Sequence, residues 1–125
     1  MKLLGIDYGE KNIGIALSDE SQKLAFPEAV LPNNSKLIDS LKKVCGDNKV
    51  EGMVLGESKN LSGRPNPILK DIYSFKKEVE RRLKLKVYLV PEFFTTKQAS
   101  QIQGRSEKTH ASAAAIILQS FLDSR

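Results

Sequence analysis

Several residues whose side chains can bind metal ions or move protons stand where predicted strands end or where a predicted helix begins. These residues are Asp7, Glu57, Glu92 and His110. A carboxylate at the end of a buried strand is costly unless it binds a metal ion or a hydrogen-bonding partner. Clusters of oxygen ligands suit hard divalent cations such as Mg²⁺, and two such ions about 4 Å apart can align a water molecule and a leaving oxygen on a phosphodiester. The pattern therefore predicts a metal site for phosphodiester chemistry, provided that the strand ends share one edge of a sheet.

Each of these residues also has an ordinary structural explanation. Asp7 is explained equally well as a cap of the turn that follows it. Glu57 would then be a loop charge, and Glu92 an exposed residue at a strand end. His110 would be a first-turn helix residue without a ligand. The metal-site hypothesis thus depends on a strand order that brings the first, fourth and fifth strands together.

Hydrophobic periodicity and turn residues predict alternating strands and helices that position these side chains. The predicted elements are a β-hairpin of residues 2–7 and 13–19, a strand over 24–31, a turn over 32–35 that leads into a helix N-cap, a helix over 37–45 with Gly46 as its C-cap, a strand over 50–56, a helix over 67–83, a strand over 87–90, a short helix over 95–103 and a final helix from His110. Pro27 lacks a ladder donor, which places the third strand at or near a sheet edge. Right-handed crossovers after the hairpin predict a mixed five-stranded α/β sheet of order 3-2-1-4-5 with helices on both faces.

Two predicted loops carry basic residues that would meet a phosphate backbone. Residues 57–67 contain Lys59 and Arg64, and residues 101–108 contain Arg105 and Lys108. The first loop follows the carboxyl end of a strand, where open α/β sheets form ligand sites. If these cations bind nucleic acid, the affinity is expected to fall steeply with salt and to depend little on base sequence.

Length and composition limit the function classes. The 125 residues predict one domain, 1–125, with a real core. No apolar stretch is long enough to span a membrane, and the short opening apolar run is not a signal peptide. Cys45 is the single cysteine, so the chain has no intramolecular disulfide and no thiolate metal site, and Cys45 is predicted to be buried. These features predict a cytoplasmic location, and the net charge of +5 admits a polyanionic partner, although it also serves solubility.

Several stretches resemble the YqgF family, whose members are RuvC-like proteins of the ribonuclease H-like superfamily. The opening stretch, residues 5–19, is similar to the family's first hairpin, and residues 108–119 are similar to its last helix. Between them, residues 54–56 with Asn60 and Gly63 resemble the family's strand and Asn/Gly loop, and Glu92 with Thr95, Thr96 and Ala99 resembles its Asp-Glu-Arg-x-Thr-Thr segment. The resemblance runs essentially end to end and implies a ribonuclease H-like fold.

The resemblance also implies an activity and a set of site residues. Family members are resolvases of Holliday junctions or nucleases that mature the 5′ end of 16S ribosomal RNA. The family's three acidic positions map onto Asp7, Glu92 and His110. Asp7 would bridge divalent ions, Mg²⁺ or Mn²⁺, while Glu92 and Glu57 complete the metal ligands. His110 would ligate a metal or act as a general base.

The sequence departs from the family pattern at the site itself. The family usually has Asp where this chain has His110, and an apolar residue where it has Glu57. Pro91 and Phe93 replace the Asp and Arg that usually flank the family's Glu. One carboxylate is thus lost and another appears at the same predicted edge, either as compensation or as a mark of weakened catalysis.

Three functional hypotheses follow. The first is a metal-dependent nuclease acting on pre-16S ribosomal RNA or on branched DNA, as a monomer or a homodimer. The second is a non-catalytic nucleic-acid-binding or ribosome-assembly factor with a degenerate site, which the replacement at His110 favours. The third is a sugar-kinase or actin-like ATPase, but such proteins need two lobes to enclose the nucleotide, and 125 residues do not supply them.

Overall fold

A computed structural model describes residues 1–57, 68–91 and 108–124. Its elements are β1 (Lys2–Tyr8), β2 (Asn12–Ser18), β3 (Ala25–Pro32), α1 (Leu37–Asp47), β4 (Val50–Glu57), α2 (Ile68–Arg82), β5 (Lys86–Pro91) and α3 (Lys108–Asp123). Each predicted element within the described ranges is present, with its ends shifted by a few residues. The helix predicted over 95–103 lies outside the described residues.

The sheet has the predicted order β3-β2-β1-β4-β5. β1 pairs antiparallel with β2, and β2 pairs antiparallel with β3. β4 lies parallel to β1 and β5 parallel to β4, so β1, β4 and β5 end at the same edge of the sheet. β3 is an edge strand, and its register shifts next to Pro27, in agreement with the prediction from that residue's missing donor.

Side chains alternate between the two faces of the sheet, and each face has its own apolar cluster. The larger cluster lies on the face covered by α1 and α2, and its fully buried members include Leu4, Ile6, Ile13, Ile15, Leu41, Met53, Leu55, Ile72 and Val79. The smaller cluster lies under α3 and consists of Leu3, Ala16, Val54, Ala114, Ile117, Leu118 and Leu122. Cys45 belongs to the larger cluster, where burial raises the pKa of its thiol to about 11. The cysteine is therefore a buried apolar residue, as predicted.

Polar contacts fix α3 and the strand ends on the smaller cluster's face. Ser18 is buried; its Oγ accepts a hydrogen bond from the backbone N–H of Leu3 at 2.8 Å and donates to the carbonyl of Asp19. Gln119 of α3 accepts from the backbone N–H of Ala25 and donates to the carbonyl of Lys23, both at 2.9 Å. These bonds connect α3 to the start of the edge strand β3.

The ends of α1 differ from the prediction. Gly46 is not the C-cap, because the helix continues to Asp47 and its C-cap is Asn48. The Asn48 side chain donates to the carbonyl of Val44 at 2.8 Å, and the backbone N–H of Asn48 donates to the same carbonyl at 3.1 Å, so Asn48 closes the last turn. At the other end the N-cap is Lys36, and no side chain of the preceding turn caps the helix.

In the described parts of the chain, no helix is both long and apolar enough to cross a membrane.

Candidate active site

Asp7 occupies the penultimate position of β1, at the edge where the parallel strands end. Its neighbours in the strand, Ile6 and Tyr8, belong to the α1/α2 face, so Asp7 projects towards α3. Its side chain is 14% exposed. The apolar run that precedes it in sequence thus buries the strand, and the carboxylate emerges where the strand leaves the core.

The first turns of α3 lie directly on the backbone of β1 and β2, where glycines leave room for them. Gly14 is opposite Asp7 in the ladder, and a Cβ added there would come within 2.0 Å of the carbonyl oxygen of His110. A Cβ added at Gly5 would come within 2.8 Å of the carbonyl oxygen of Ala114, one turn further along α3. Such approaches are possible only without a side chain. The two glycines therefore set the position of the helix start, and with it the position of His110.

This docking brings His110 against Asp7. The Nδ1 atom of His110 lies 3.3 Å from the Oδ2 atom of Asp7, and the His110 side chain is 40% exposed. The hydrogen bond to Asp7 raises the pKa of His110 above its ordinary 6.5; burial of the ring acts in the opposite direction, and the negative charge of Asp7 adds to the increase. The two side chains thus form a pair in which Asp7 stabilises the protonated form of the imidazole.

The turn between β1 and β2 closes the site on one side. Gly9 follows β1, and a Cβ added there would lie 2.5 Å from the carbonyl oxygen of Asn12 and 3.6 Å from Cε1 of the His110 ring. Gly9 has no left-handed φ, so this glycine is needed for the close approach within the turn rather than for an unusual backbone angle. The imidazole therefore lies between the Asp7 carboxylate and the backbone of this turn.

The other predicted site residues fall outside what the structure describes. β4 ends at Glu57, which pairs in register with Pro91 at the end of β5, but the Glu57 side chain is outside the described atoms. Glu92 lies outside the described residues, as do the basic residues Lys59, Arg64 and Arg105. Lys108 begins α3, and its side chain is likewise outside the described atoms. The predicted strand order is confirmed, while the metal-binding and phosphate-binding roles of these residues stay predictions.

Asp7 and His110 have a separation and chemistry that fit a divalent cation. Two neighbouring ligands of one octahedral Mg²⁺, each about 2.1 Å from the ion, are about 3 Å apart, close to the 3.3 Å between Oδ2 and Nδ1. Carboxylate oxygen suits Mg²⁺ and Mn²⁺, and imidazole nitrogen suits borderline ions such as Zn²⁺. Within the described side chains, no cluster of three or more His, Cys, Asp or Glu residues forms a metal site. A complete ligand set therefore needs donors beyond this pair.

Sequence reasoning identified Asp7 and His110 but not the residues that bring them together. Gly5 and Gly14 both lie in the stretch 5–19, whose pattern predicts a hairpin but not a contact with the last helix. One sequence signal could have indicated the close packing of the helix on the hairpin, because both elements contain small residues. These are Gly5, Gly14 and Ala16 in the hairpin and Ala111 and Ala114 in the last helix. Small residues on both surfaces permit a helix to lie directly on a sheet.

Comparisons with known proteins identify relatives along nearly the whole chain. The family model described as "RuvX: Holliday junction resolvase" matches residues 1–124. A protein of Flavobacterium johnsoniae named "Putative pre-16S rRNA nuclease" is 35% identical over 135 residues, which cover 99% of this chain and 97% of the relative. A protein of the same name from Rickettsia felis is 33% identical over 132 residues, covering 98% of this chain and 86% of the relative.

Solved structures share the fold at low sequence identity. Thermus thermophilus RuvC in complex with a Holliday junction substrate superposes with a TM-score of 0.65 at 16% identity and covers 100% of this chain and 96% of its own. The fowlpox virus resolvase in complex with Holliday junction DNA superposes with a TM-score of 0.55 at 19% identity, covering 99% and 98% of the two chains. The fold is ribonuclease H-like, as the sequence resemblance implied. The chain belongs to the RuvX family of Holliday junction resolvases, also called YqgF.

Proposed function

We propose that this protein is a divalent-metal-dependent nuclease that hydrolyses phosphodiesters in structured nucleic acid, and that its substrate is the 5′ region of pre-16S ribosomal RNA. The observation that carries the proposal is the Asp7–His110 pair, with 3.3 Å between Oδ2 and Nδ1, at the edge where β1, β4 and β5 end. The names of the relatives support the substrate. In this proposal, residues 1–125 form a single domain, and the protein acts in the cytoplasm.

Asp7 and His110 have distinct roles in this proposal. Asp7 contributes carboxylate oxygens that hold Mg²⁺ or Mn²⁺, and Glu57 and Glu92 provide the further oxygen ligands. The bound ions supply charge stabilisation and a more acidic water molecule. His110 in its neutral form accepts a hydrogen bond or a proton from the attacking water, or binds a metal through a ring nitrogen. Lys59, Arg64, Arg105 and Lys108 hold the phosphate backbone.

The pair also determines how protons compete with metal binding. A protonated His110 donates a charge-assisted hydrogen bond to Asp7. The added proton also occupies the nitrogen lone pair of His110 with which the ring would bind a metal ion or accept a proton. Because Asp7 raises the pKa of His110, this competition extends above pH 6.5. Cleavage is therefore expected to rise with pH through the neutral range at low metal concentration and to depend less on pH at saturating metal.

The same pair supports a second candidate, a nucleic-acid-binding factor without catalysis. The contact with Asp7 raises the pKa of His110, and a protonated imidazole would balance the charge of Asp7 without a metal ion. Such a protein would bind structured RNA through its basic residues, and the ribonuclease H-like fold would serve only as a scaffold.

Cleavage assays separate the two candidates. A pre-16S RNA fragment and a four-way DNA junction are incubated with the protein and Mg²⁺, Mn²⁺ or Zn²⁺. The nuclease is supported by cleavage that Asp7→Asn lowers by about 100-fold or more, and Glu92→Gln or Glu57→Gln identifies the remaining ligands. Absence of metal-dependent cleavage, with salt-sensitive RNA binding retained, establishes the second candidate. Since a resolvase must cut two strands symmetrically, a strictly monomeric protein favours the RNA substrate over the junction.

Exchange of His110 tests its role directly. His110→Asp restores a negative charge, so Mg²⁺ is expected to bind more tightly and the acidic limb of the pH profile to flatten. His110→Ala is expected to lower cleavage in every metal. If His110→Ala cleaves like the wild type while Glu57→Gln abolishes cleavage, the site uses Glu57, and His110 is only a residue at a helix start.

A further inference from the structure

Asn33 lies at the same end of the sheet as Asp7, on the side of β2 that faces away from β1. It directly follows β3, and its backbone N–H donates to the carbonyl of Lys11 at 2.9 Å, which continues the β2–β3 ladder beyond Asn12. Its side-chain Nδ2 donates to the carbonyl of Gly9, also at 2.9 Å, in a half-buried position. One residue thus holds the β1–β2 turn, residues 9–11, at two points.

This turn lies beside the candidate active site. Gly9 lies two residues after Asp7, and the position of a Cβ on Gly9 is 3.6 Å from Cε1 of His110. Cε1 is bonded to Nδ1, the atom that faces Asp7 Oδ2. The reacting edge of the imidazole is therefore bounded by the Asp7 carboxylate and by the backbone that Asn33 holds.

Without Asn33 this backbone would have few constraints. Glu10 and Lys11 are exposed, the β1–β2 ladder ends at Tyr8 and Ile13, and Gly9 has no side chain that could anchor the turn. Ordering such residues costs conformational entropy, which a half-buried side-chain hydrogen bond helps to offset. A donor is required at this point, because the partner on Gly9 is a carbonyl oxygen.

We propose that Asn33 is a positioning residue for the Asp7–His110 pair. Its side chain fixes the β1–β2 turn at Gly9, and this turn keeps the His110 ring beside Asp7. The inference rests on the proposed function of that pair in metal binding and hydrolysis. Asn33 has no part in the chemistry itself, and its effect passes through the backbone of Gly9.

The adjacent Asn34 provides a matched control. It is the same residue type at the next position, and its Oδ1 accepts from the backbone N–H of Lys36 at 2.9 Å, a contact confined to the turn before α1. Replacing Asn34 removes an amide side chain and a hydrogen bond of the same length without touching the turn at Gly9. A general effect of losing an Asn at this strand end would appear in both variants.

The experiment compares the full chain with its Asn33→Ala, Asn33→Asp and Asn34→Ala variants. The ring signals of His110, the single histidine, are recorded by ¹H–¹³C NMR at one fixed pH, and Mn²⁺ affinity is measured by calorimetry. kcat and KM are measured on the RNA fragment. For Asn33→Ala we expect shifted or broadened ring signals, a Kd for Mn²⁺ about 10-fold higher and a kcat about 10-fold lower, with KM within twofold of the wild type. Asn33→Asp, which replaces the donor by an acceptor of the same shape, should match Asn33→Ala, and Asn34→Ala should match the wild type.

The readouts keep this inference separate from the proposed function. If the wild type cleaves nothing, the proposed nuclease activity fails, while the His110 signals and the Mn²⁺ affinity still decide the role of Asn33. Ring signals, Mn²⁺ affinity and kcat that are the same in Asn33→Ala as in Asn34→Ala would overturn the inference. Should Asn33→Ala not fold, the isosteric Asn33→Asp is judged by the same three measurements.

Discussion

The two faces of the sheet are packed in different ways. On the α1/α2 face, large aliphatic and aromatic side chains fill the space between the sheet and the helices, and Tyr8 packs on Phe75 with ring centroids 5.1 Å apart. On the α3 face, Gly5 and Gly14 let the helix backbone lie directly on the strands. The first face carries most of the buried apolar volume, and the second carries Asp7 and His110.

This difference has a physical consequence for the site. A layer of large side chains can repack when one member is shortened, so its helices have some freedom of position. At Gly5 and Gly14 no side chain separates the helix from the strands, so the position of the first turns of α3 is fixed closely by contact. The structure thus separates bulk stability, which comes mainly from the α1/α2 face, from the positioning of the site, which comes from the α3 face.

The largest effect on stability is expected from truncation on the α1/α2 face. Leu41 is fully buried in the larger cluster, so Leu41→Ala should lower the free energy of unfolding by about 2–5 kcal/mol. Urea unfolding measures this loss. Cleavage per folded molecule should stay near that of the wild type, since α1 packs on the face of the sheet opposite to α3 and His110. A loss of cleavage beyond the unfolded fraction would contradict the separation of the two faces.

The opposite pattern is expected for Gly14→Ala on the α3 face. The added Cβ would collide with the backbone of His110, so the first turn of α3 must move away from β2. We expect a loss of about 1–3 kcal/mol in the free energy of unfolding, smaller than for Leu41→Ala. Because a displacement of about 1 Å in a site can lower the rate by about 100-fold, cleavage should fall far more than in the Leu41 variant. If Gly14→Ala and Leu41→Ala cleave equally after correction for the folded fraction, Gly14 has no positioning role.

Gly46→Ala is the matched glycine control and should have a small effect of the opposite sign. Gly46 lies inside α1, and a Cβ there meets no atom within 4 Å. Alanine forms helices more readily than glycine, so the free energy of unfolding should increase by about 0.5–1 kcal/mol without a change in cleavage. Calorimetry or urea unfolding of this variant beside Gly14→Ala shows whether close packing, and not loss of a glycine as such, determines the outcome.

The smallest expected effect is the pH dependence that the Asp7–His110 pair adds to stability. Because the folded pKa of His110 is raised above 6.5, the stabilisation is fully present below pH 6.5 and is lost as the pH rises through the raised value. The ring is 40% exposed, so solvent screening limits the effect to about 0.5 kcal/mol or less. Urea unfolding in EDTA between pH 5.5 and 8 should show this decrease for the wild type.

Asp7→Asn is the control for that measurement, because it removes the charge that His110 faces. The decrease with pH should disappear in this variant, and the NMR titration of the single histidine should move to lower pH. Asp19 does not interfere in this range: hydrogen bonds from the Ser21 hydroxyl and from backbone N–H groups lower the pKa of Asp19 to about 2, so its contribution is lost only in acid. An unchanged titration in Asp7→Asn would mean that the pair does not form in solution.

The sequence predicted the elements and their order because local signals and global packing agree along most of the chain. The apolar runs before Asp7 and Glu57, the missing donor at Pro27 and the handedness of crossovers were sufficient for the order 3-2-1-4-5. Gly46 misled the prediction, since glycine after an apolar helix pattern is usually a C-cap. Here Asn48 provides the cap, and whether a helix stops at one residue or the other depends on hydrogen bonds that a local pattern does not reveal.

The sequence by itself determined the chemical groups and the end of the sheet at which they lie. Asp7 closes an apolar strand, and His110 lies in the first turn of a helix whose first half is rich in alanine. What only the tertiary structure decided is their distance. The 3.3 Å contact arises because Gly14, opposite Asp7 on the neighbouring strand, admits the backbone of His110. Asn33, directly after the third strand, holds the turn on the other side. These residues are far apart along the chain, and contacts between such residues depend on how strands and helices pack, whereas patterning depends only on neighbours in sequence.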